Sequence, residues 1–305
     1  MKKPVYLPFT SGQWRLSLGL KALPLKDWIQ IDQEFVPYLQ RKAELRQTRY
    51  AQVFGTTTGS ETAQQEVLDE LLHHLLHYFP DHYQLRDGVV TVLPTGDRWF
   101  LADFATAPLD LAGRLVQEDL CLLLPGRDGY TLRAASLSFP LYWQLQDKLG
   151  KAIAAIHDPV PGYAQSLQQP VNTYFDRLQD HAPGYRFNWS ITDTPDLFLG
   201  HDRVNQVNPT HLTPENAGDR LWIRVERQTF RRFPQSQGVL FGIRTYLYPL
   251  AILKHYPHAA VGLTQVMQEM PPALQLYKSL LPIREVLFAY VQQSCRLDVT
   301  PVSSG

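Results

Sequence analysis

Two cysteines, Cys121 and Cys295, in 305 residues are too few for a disulfide framework or for a cluster that takes four thiolates. An excess of one charge is also missing. The 29 basic and 29 acidic side chains balance, so no global field favours nucleic acid or an anionic membrane surface. No apolar run approaches the ~18 residues of a spanning helix, so no membrane segment is expected. The opening stretch MKKPVYLPFTSGQW has lysines but no apolar core behind them, so no secretory leader is expected and the cytoplasm is the expected location. G-x-G-x-x-G, the P-loop and G-x-S-x-G are absent, which removes the usual anchors of nucleotide and hydrolase chemistry. Aromatic residues, by contrast, make up 11% of the chain and include six Trp. Such side chains either fill a core or line a pocket for a flat ligand.

Periodicity gives a coarse element order. LPLKDWIQIDQEFVPYLQRKAELRQ predicts a helix starting at Asp27 and broken at Pro37. In GSETAQQEVLDELLHHLLHYFP, Ser60 is a candidate cap, Leu68, Leu71, Leu72, Leu75 and Phe79 share one face, and Pro80 ends the helix. GVVTVLP and RWFLADF read as short strands, and DLCLLLP and GYTLRAASLSF as a hairpin around GRD. LYWQLQDKLGKAIAAI carries Leu145, Leu149, Ile153 and Ile156 at helical spacing and stops at His157; VNTYFDRLQD is a second helical stretch. Three strands follow, YRFNWSI, RLWIRVERQTF and GVLFGIRTYLYPL, the last two antiparallel across RRFPQSQG. The remainder, to about Cys295, reads as helices interrupted by prolines, with a loose tail. One antiparallel sheet with helices on one face fits this α+β order, which is also that of a PAS domain.

Alternation puts Leu221, Ile223, Val225, Arg227 and Thr229 on one face of their strand and Trp222, Arg224, Glu226, Gln228 and Phe230 on the other. Matching apolar faces predicts Arg227 near Ile243 and Thr245, and Glu226 near Arg244 or Tyr246, where a cross-strand ion pair is expected. Arg227 continues an apolar stripe, so it either faces a polar ligand in a pocket or leaves the sheet at its edge. His157 has two readings as well. Pro159 and Pro161 stiffen the chain behind it, which suits an imidazole held as a metal ligand, while a histidine ending a helix also serves as a cap. His73 and His77 are spaced like metal ligands but lack a third, and read as a wet helix face. Cys121, in an apolar strand, reads as packing.

RLVQEDLCLLLP, KLGKAIAAIHDPVPGY, FNWSI, RVERQTFRRFP and VLFGIRTYLYPL, in this order within about residues 30 to 290, resemble the haem-dependent oxidative N-demethylase family, alpha-subunit-like. The resemblance implies a PAS-like fold with a five-stranded antiparallel sheet that has become an enzyme. It implies a haem b whose iron takes a histidine from the protein and dioxygen on the opposite side. A small secondary amine such as dimethylamine would lose a methyl group as formaldehyde. Electrons would come from NADPH through FMN and [2Fe–2S] modules on partner subunits, with a folate-binding module taking the formaldehyde carbon. His157, in HDPVPGY, becomes the expected iron ligand and Tyr163 and Arg227 the expected distal donors. Glu226 would balance a protonated amine, although alternation sets it opposite Arg227. Arg186, Arg224 and Arg244 are the expected partners of the haem propionates, and Asn188 and Trp189 the expected lining.

The expected layout is a helical extension over residues 1–114, a PAS-like haem core over 115–250 and a helical extension over 251–305. Because the chain holds no flavin or NADPH fingerprint, an oxidase built on it needs a reductase partner. Two other functions fit the same residues: a haem-binding sensor or carrier without turnover, and a PAS-like scaffold that binds no haem.

Overall fold

The computed structural model describes residues 2–200 and 207–294; His201, Cys295 and the C-terminal tail lie outside the described residues. Ten strands form two sheets. They are β1 (Lys21–Ala22), β2 (Phe54–Thr56), β3 (Tyr83–Arg86), β4 (Val89–Val92), β5 (Asp97–Phe100), β6 (Asp119–Gly126), β7 (Gly129–Ser136), β8 (Gly184–Thr192), β9 (Trp222–Arg232) and β10 (Val239–Pro249). The large sheet has seven strands in the order β1-β8-β9-β10-β6-β7-β2, all neighbours antiparallel. This corrects the five-stranded expectation. The five expected strands are its centre, and short strands from the first sixty residues extend both edges. The small sheet is β3-β4-β5, of which β3 was not anticipated.

The helices are α1 (Phe35–Val53), α2 (Glu61–Tyr78), α3 (Pro108–Leu115), α4 (Ile153–Ile156), α5 (Tyr163–Ser166), α6 (Gln168–Arg177), α7 (Ala217–Arg220), α8 (Pro257–Glu269), α9 (Pro272–Tyr277) and α10 (Arg284–Ser294). Both faces of the large sheet are covered. On one, Leu120, Leu122, Ala134 and Leu240 pack against Trp28, Phe35 and the α2 leucines. Farther along that face, Ile223, Val225 and Tyr246 meet Leu263, Met267 and Leu287 of α8 and α10. On the other face, Cys121, Leu123, Phe230 and Ile243 meet Ile153, Tyr163, Leu167 and Phe175 of α4 to α6. Burying a side chain the size of Leu71 or Leu75, both fully covered, contributes roughly 1.5–3 kcal/mol. Helix α3 lies so close to β7 that a Cβ on Gly113 would sit 1.8 Å from Ser136 Oγ. No helix among the described residues is long and apolar enough to cross a membrane.

Three sequence expectations change. Pro37 does not break a helix; it occupies the first turn of α1, where no intrahelical N–H is needed, and the Asp27 region is a short 3-10 turn. Ser60 stands at the α2 N-cap without a side-chain cap bond, and its hydroxyl donates instead to Thr57 O at 2.8 Å. The stretch from Leu141 is turns rather than helix, and only the single turn α4 forms before His157. Gly150 takes a left-handed φ of 79° and Ala152 bridges to Thr131, so Leu145 is buried from a turn.

The β9–β10 register also differs. Residues 233–238 connect the strands and Arg232 pairs with Val239, so Arg227 lies opposite Arg244 and Glu226 opposite Thr245. The expected Glu226–Arg244 pair is therefore absent, and Arg244 binds Asp32 instead. Apolar matching misled because a sheet covered on both faces has no polar side to fix the register.

Candidate functional site

The covered face between the sheet and α4 to α6 carries the His157 corner and a row of polar side chains from β8 and β9. His157 ends α4, and successive turns follow: Val160 N–H donates to His157 O at 2.9 Å and Tyr163 N–H to Val160 O at 3.1 Å. Pro159 and Pro161 stiffen this corner, and Gly162 supplies a left-handed φ of 79° that lets α5 start. The result lays the Tyr163 ring over the imidazole, with centroids 4.7 Å apart and planes 11° from parallel.

His157 Nδ1 lies 2.9 Å from Ile153 O. A carbonyl only accepts, so Nδ1 carries the proton and Nε2 keeps its lone pair. Among the described residues Nε2 has no hydrogen-bond partner. Burial pushes the imidazole below its ordinary pKa, and Arg186 and Lys148 add to that against the opposing Ile153 bond. The helix-cap reading of His157 is thus realised through one nitrogen, and the other remains free to bind a metal.

Strands β8 and β9 put a polar row on the same face. Asn188 pairs with Glu226 and Arg186 with Gln228 across the ladder. Glu226 Oε2 accepts from Gln228 Nε2 at 2.9 Å and from Asn188 Nδ2 at 3.3 Å. Arg186 Nε donates to Gln228 Oε1 at 2.7 Å. Among the described residues the remaining nitrogens of Arg186 make no hydrogen bond. Burial holds its guanidinium below its ordinary pKa, with Glu226 opposing. Arg224 lies nearby, saturated at two nitrogens by Phe139 O at 2.6 Å and Leu197 O at 3.0 Å, and its Nε is 3.9 Å from Glu226 Oε1. Tyr163, Leu167 and Phe175 fill the interval between this corner and the strands.

The structure therefore brings together His157, Tyr163, Arg186, Asn188, Arg224 and Glu226, and separates three expected site residues from them. Arg227, Arg244 and Trp189 point to the opposite face. Arg227 is 3% exposed, and its guanidinium donates to the main-chain carbonyls of Asp27 and Trp28. This also removes the alternative of a stripe running out into solvent. Arg244 is fully buried between the rings of Tyr38 and Tyr246, at 4.2 and 4.5 Å, and binds Asp32 at 3.0 Å. Trp189 packs edge-on against Phe9. The alternation rule had set Glu226 and Arg227 on opposite faces, and no bulge intervenes to bring them together.

Two residues of the cluster were not singled out from sequence as site residues. Gln228 was seen only as one member of the polar face. Lys278 comes from the turn after α9 and gave no sequence signal. Elsewhere, His73 and His77 stack on each other at 6.3 Å, and among the described residues no group of three or more His, Cys, Asp or Glu is arranged for a metal. Cys121 is a buried free thiol held well above its ordinary pKa by burial and by Asp119.

A family model described as haem-dependent oxidative N-demethylase, alpha subunit-like, matches residues 19–288. The match spans the whole large sheet, the His157 corner and the start of α10. The chain belongs to this family.

Proposed function

We propose that the chain binds haem b through His157 and is the haem subunit of an enzyme that oxidatively demethylates a small secondary amine such as dimethylamine. The observation that carries this reading is the His157 imidazole, neutral and tied down through Nδ1, with Nε2 left free in a member of a haem-dependent family. A ligating histidine is oriented by such a bond to its other nitrogen.

The surrounding residues fit the group chemically. Arg186, Arg224 and Lys278 give the cluster three cations to the single carboxylate Glu226, an excess that the two propionates of a haem would offset. Arg186 has guanidinium nitrogens uncommitted for a carboxylate. Phe230 and Phe241, stacked at 5.0 Å, and Phe175 give the apolar wall a flat ring needs. The single turns α4 and α5, which carry His157 and Tyr163, are what must yield to seat it.

When bound, haem supplies the oxygen-dependent redox chemistry. The protein's own share is binding and proton placement. The Glu226 oxygen Oε1 has no hydrogen-bond donor among the described residues; Arg224 Nε stands 3.9 Å from it, and it is the oxygen left to accept from a protonated amine. The Tyr163 ring lies over the imidazole, and burial raises the pKa of its hydroxyl so that it stays protonated at neutral pH as a proton donor. The reaction consumes the amine, dioxygen, two electrons and two protons, and yields the demethylated amine, formaldehyde and water. The electrons come from a partner subunit carrying NADPH, FMN and [2Fe–2S] sites. The PAS-like core of residues 115–250, flanked by extensions over 1–114 and 251–305, belongs to the same proposal.

The test is the optical spectrum of the protein with added haemin. A Soret band is expected for the native chain, and loss or a large shift of that band for His157→Ala. A protein that stays colourless overturns the proposal. With a reductase, oxygen and dimethylamine supplied, formaldehyde above a haem-only control is expected; its absence in a haem-loaded protein assigns the chain to haem binding without turnover.

A further inference from the structure

Two amides hold Glu226, and each is held in turn by a cation. Lys278 Nζ donates to Asn188 Oδ1 at 2.9 Å, and Asn188 Nδ2 faces Glu226 Oε2. Arg186 Nε donates to Gln228 Oε1, and Gln228 Nε2 faces the same Oε2. The chain of donors is symmetrical: cation to amide oxygen, amide nitrogen to carboxylate. Rotating either amide by half a turn would aim its oxygen at the carboxylate and its NH2 at a cation, so the cations fix the orientation of both. A cation on the carbonyl also polarises the amide and strengthens the N–H that Glu226 receives.

The Lys278 arm arrives from outside the sheet. Strand β1 pairs only with Tyr185 and Gly184, so the outer edge of β8 beyond them has no strand neighbour among the described residues. Lys278 approaches along that edge, donating to Trp189 O at 2.8 Å as well as to Asn188. Its placement depends on an abrupt end to α9. Ser279, a non-glycine residue, takes a left-handed φ of 59°, and Leu280 N–H closes back on Gln275 O at 2.8 Å. Burial draws the ammonium down to about 8, with Glu226 opposing and Arg186 reinforcing, so it is largely charged at neutral pH.

We propose that Lys278 is a positioning residue for cation recognition: by locking Asn188 it commits Oε2 of Glu226 inside the protein and leaves Oε1, which Arg224 Nε approaches only to 3.9 Å, to accept from an ammonium ligand. This rests on the reading of Glu226 as the amine acceptor, but the lock itself is measurable without haem. In the full chain as purified, hydrogen exchange of the Asn188 side-chain NH2 is followed by NMR on selectively labelled protein. Lys278→Met is expected to speed that exchange about tenfold and Lys278→Arg to restore it. Wild-type exchange in Lys278→Met overturns the lock.

The second readout is the affinity ratio of haem-loaded protein for dimethylamine over dimethyl ether, its neutral counterpart of similar shape. A purely structural loss weakens both ligands together. Loss of the lock lowers the ratio, by about tenfold in Lys278→Met and also in Asn188→Leu, which leaves the Lys278–Trp189 bond intact. An unchanged ratio in both variants overturns the proposal. Wild-type ratios in Glu226→Gln sink the amine reading itself, and with it the purpose assigned to the lock. If haem is not taken up, the exchange measurement alone decides whether the lock exists.

Discussion

Arg244 and Arg186 sit two strands apart on opposite faces of one sheet. Arg244 lies between two tyrosine rings with Asp32 on its guanidinium, and its neighbour Arg227 is spent on two main-chain carbonyls. Lys42 of α1, 1% exposed, donates to Gly113 O at 3.2 Å and Val116 O at 3.0 Å and pairs with Asp119 at 3.6 Å. These cations answer to fixed partners inside the fold. Arg186 uses one nitrogen on Gln228, and Lys278 leans on an amide and a carbonyl, while Oε1 of the nearby Glu226 accepts no hydrogen bond among the described residues and has Arg224 Nε at 3.9 Å. Buried charge paired inside the fold is structural, because breaking the pair would cost several kcal/mol. Charge left partly committed on the face under α4 to α6 is placed for something that arrives from outside.

The sharpest break of this contrast is Arg244→Met. It strands Asp32 in the interior and is expected to cost about 3–5 kcal/mol in denaturant unfolding, without moving the haem spectrum of the folded fraction. Equal stability to the native chain would show that the Arg244–Asp32 pair is not structural. The next effect comes from His74, which is 4% exposed beside Trp28 and pushed down to about 4, mainly by burial and then by Arg231. Its folded value lies below the ordinary value of about 6.5, so the neutral form stabilises the fold above that pH. The contribution is lost as pH falls from about 6.5 towards 4, at most roughly 3 kcal/mol. His74→Phe is expected to flatten that part of the stability profile, and an unaltered slope would remove His74 as its source. The smallest folding effect belongs to the other face. Arg186→Met is expected to cost about 1 kcal/mol or less of stability and to weaken haemin binding about tenfold, read by titration at the Soret band. A cost comparable to that of Arg244→Met would erase the distinction between the faces.

Much of this fold is legible in the sequence where local chemistry decides. The β6–β7 hairpin turns on Arg127 and Asp128 between two glycines, and α2 shows its leucine face and its terminal proline. The edge strands β1 and β2 are two and three residues long, and only the sheet already in place makes strands of them. Lone periodicity also misled at Leu145 and Leu149, because burial from consecutive turns leaves the same spacing as a helix face. The candidate site divides along the same line. His157 and Tyr163 share one short proline-bearing segment, so their meeting is a local event. The pairing of Asn188 with Glu226 and of Arg186 with Gln228 is not, since β8 and β9 are separated by residues 193–221 and nothing local sets their register. Lys278 was invisible for a related reason. A lysine after a helix is ordinarily solvated, and only the open edge of β8 makes a place for it.

Cys121 lies in β6, opposite Phe241 on one side and Ala135 on the other. Its thiol is shut away and stays protonated, so an alkylating reagent or formaldehyde has no thiolate to attack there while the ladder is closed. The residue is thus a natural timer: the rate at which it becomes labelled counts the occasions on which this face of the central strands is uncovered, and a ligand seated on the face would slow it.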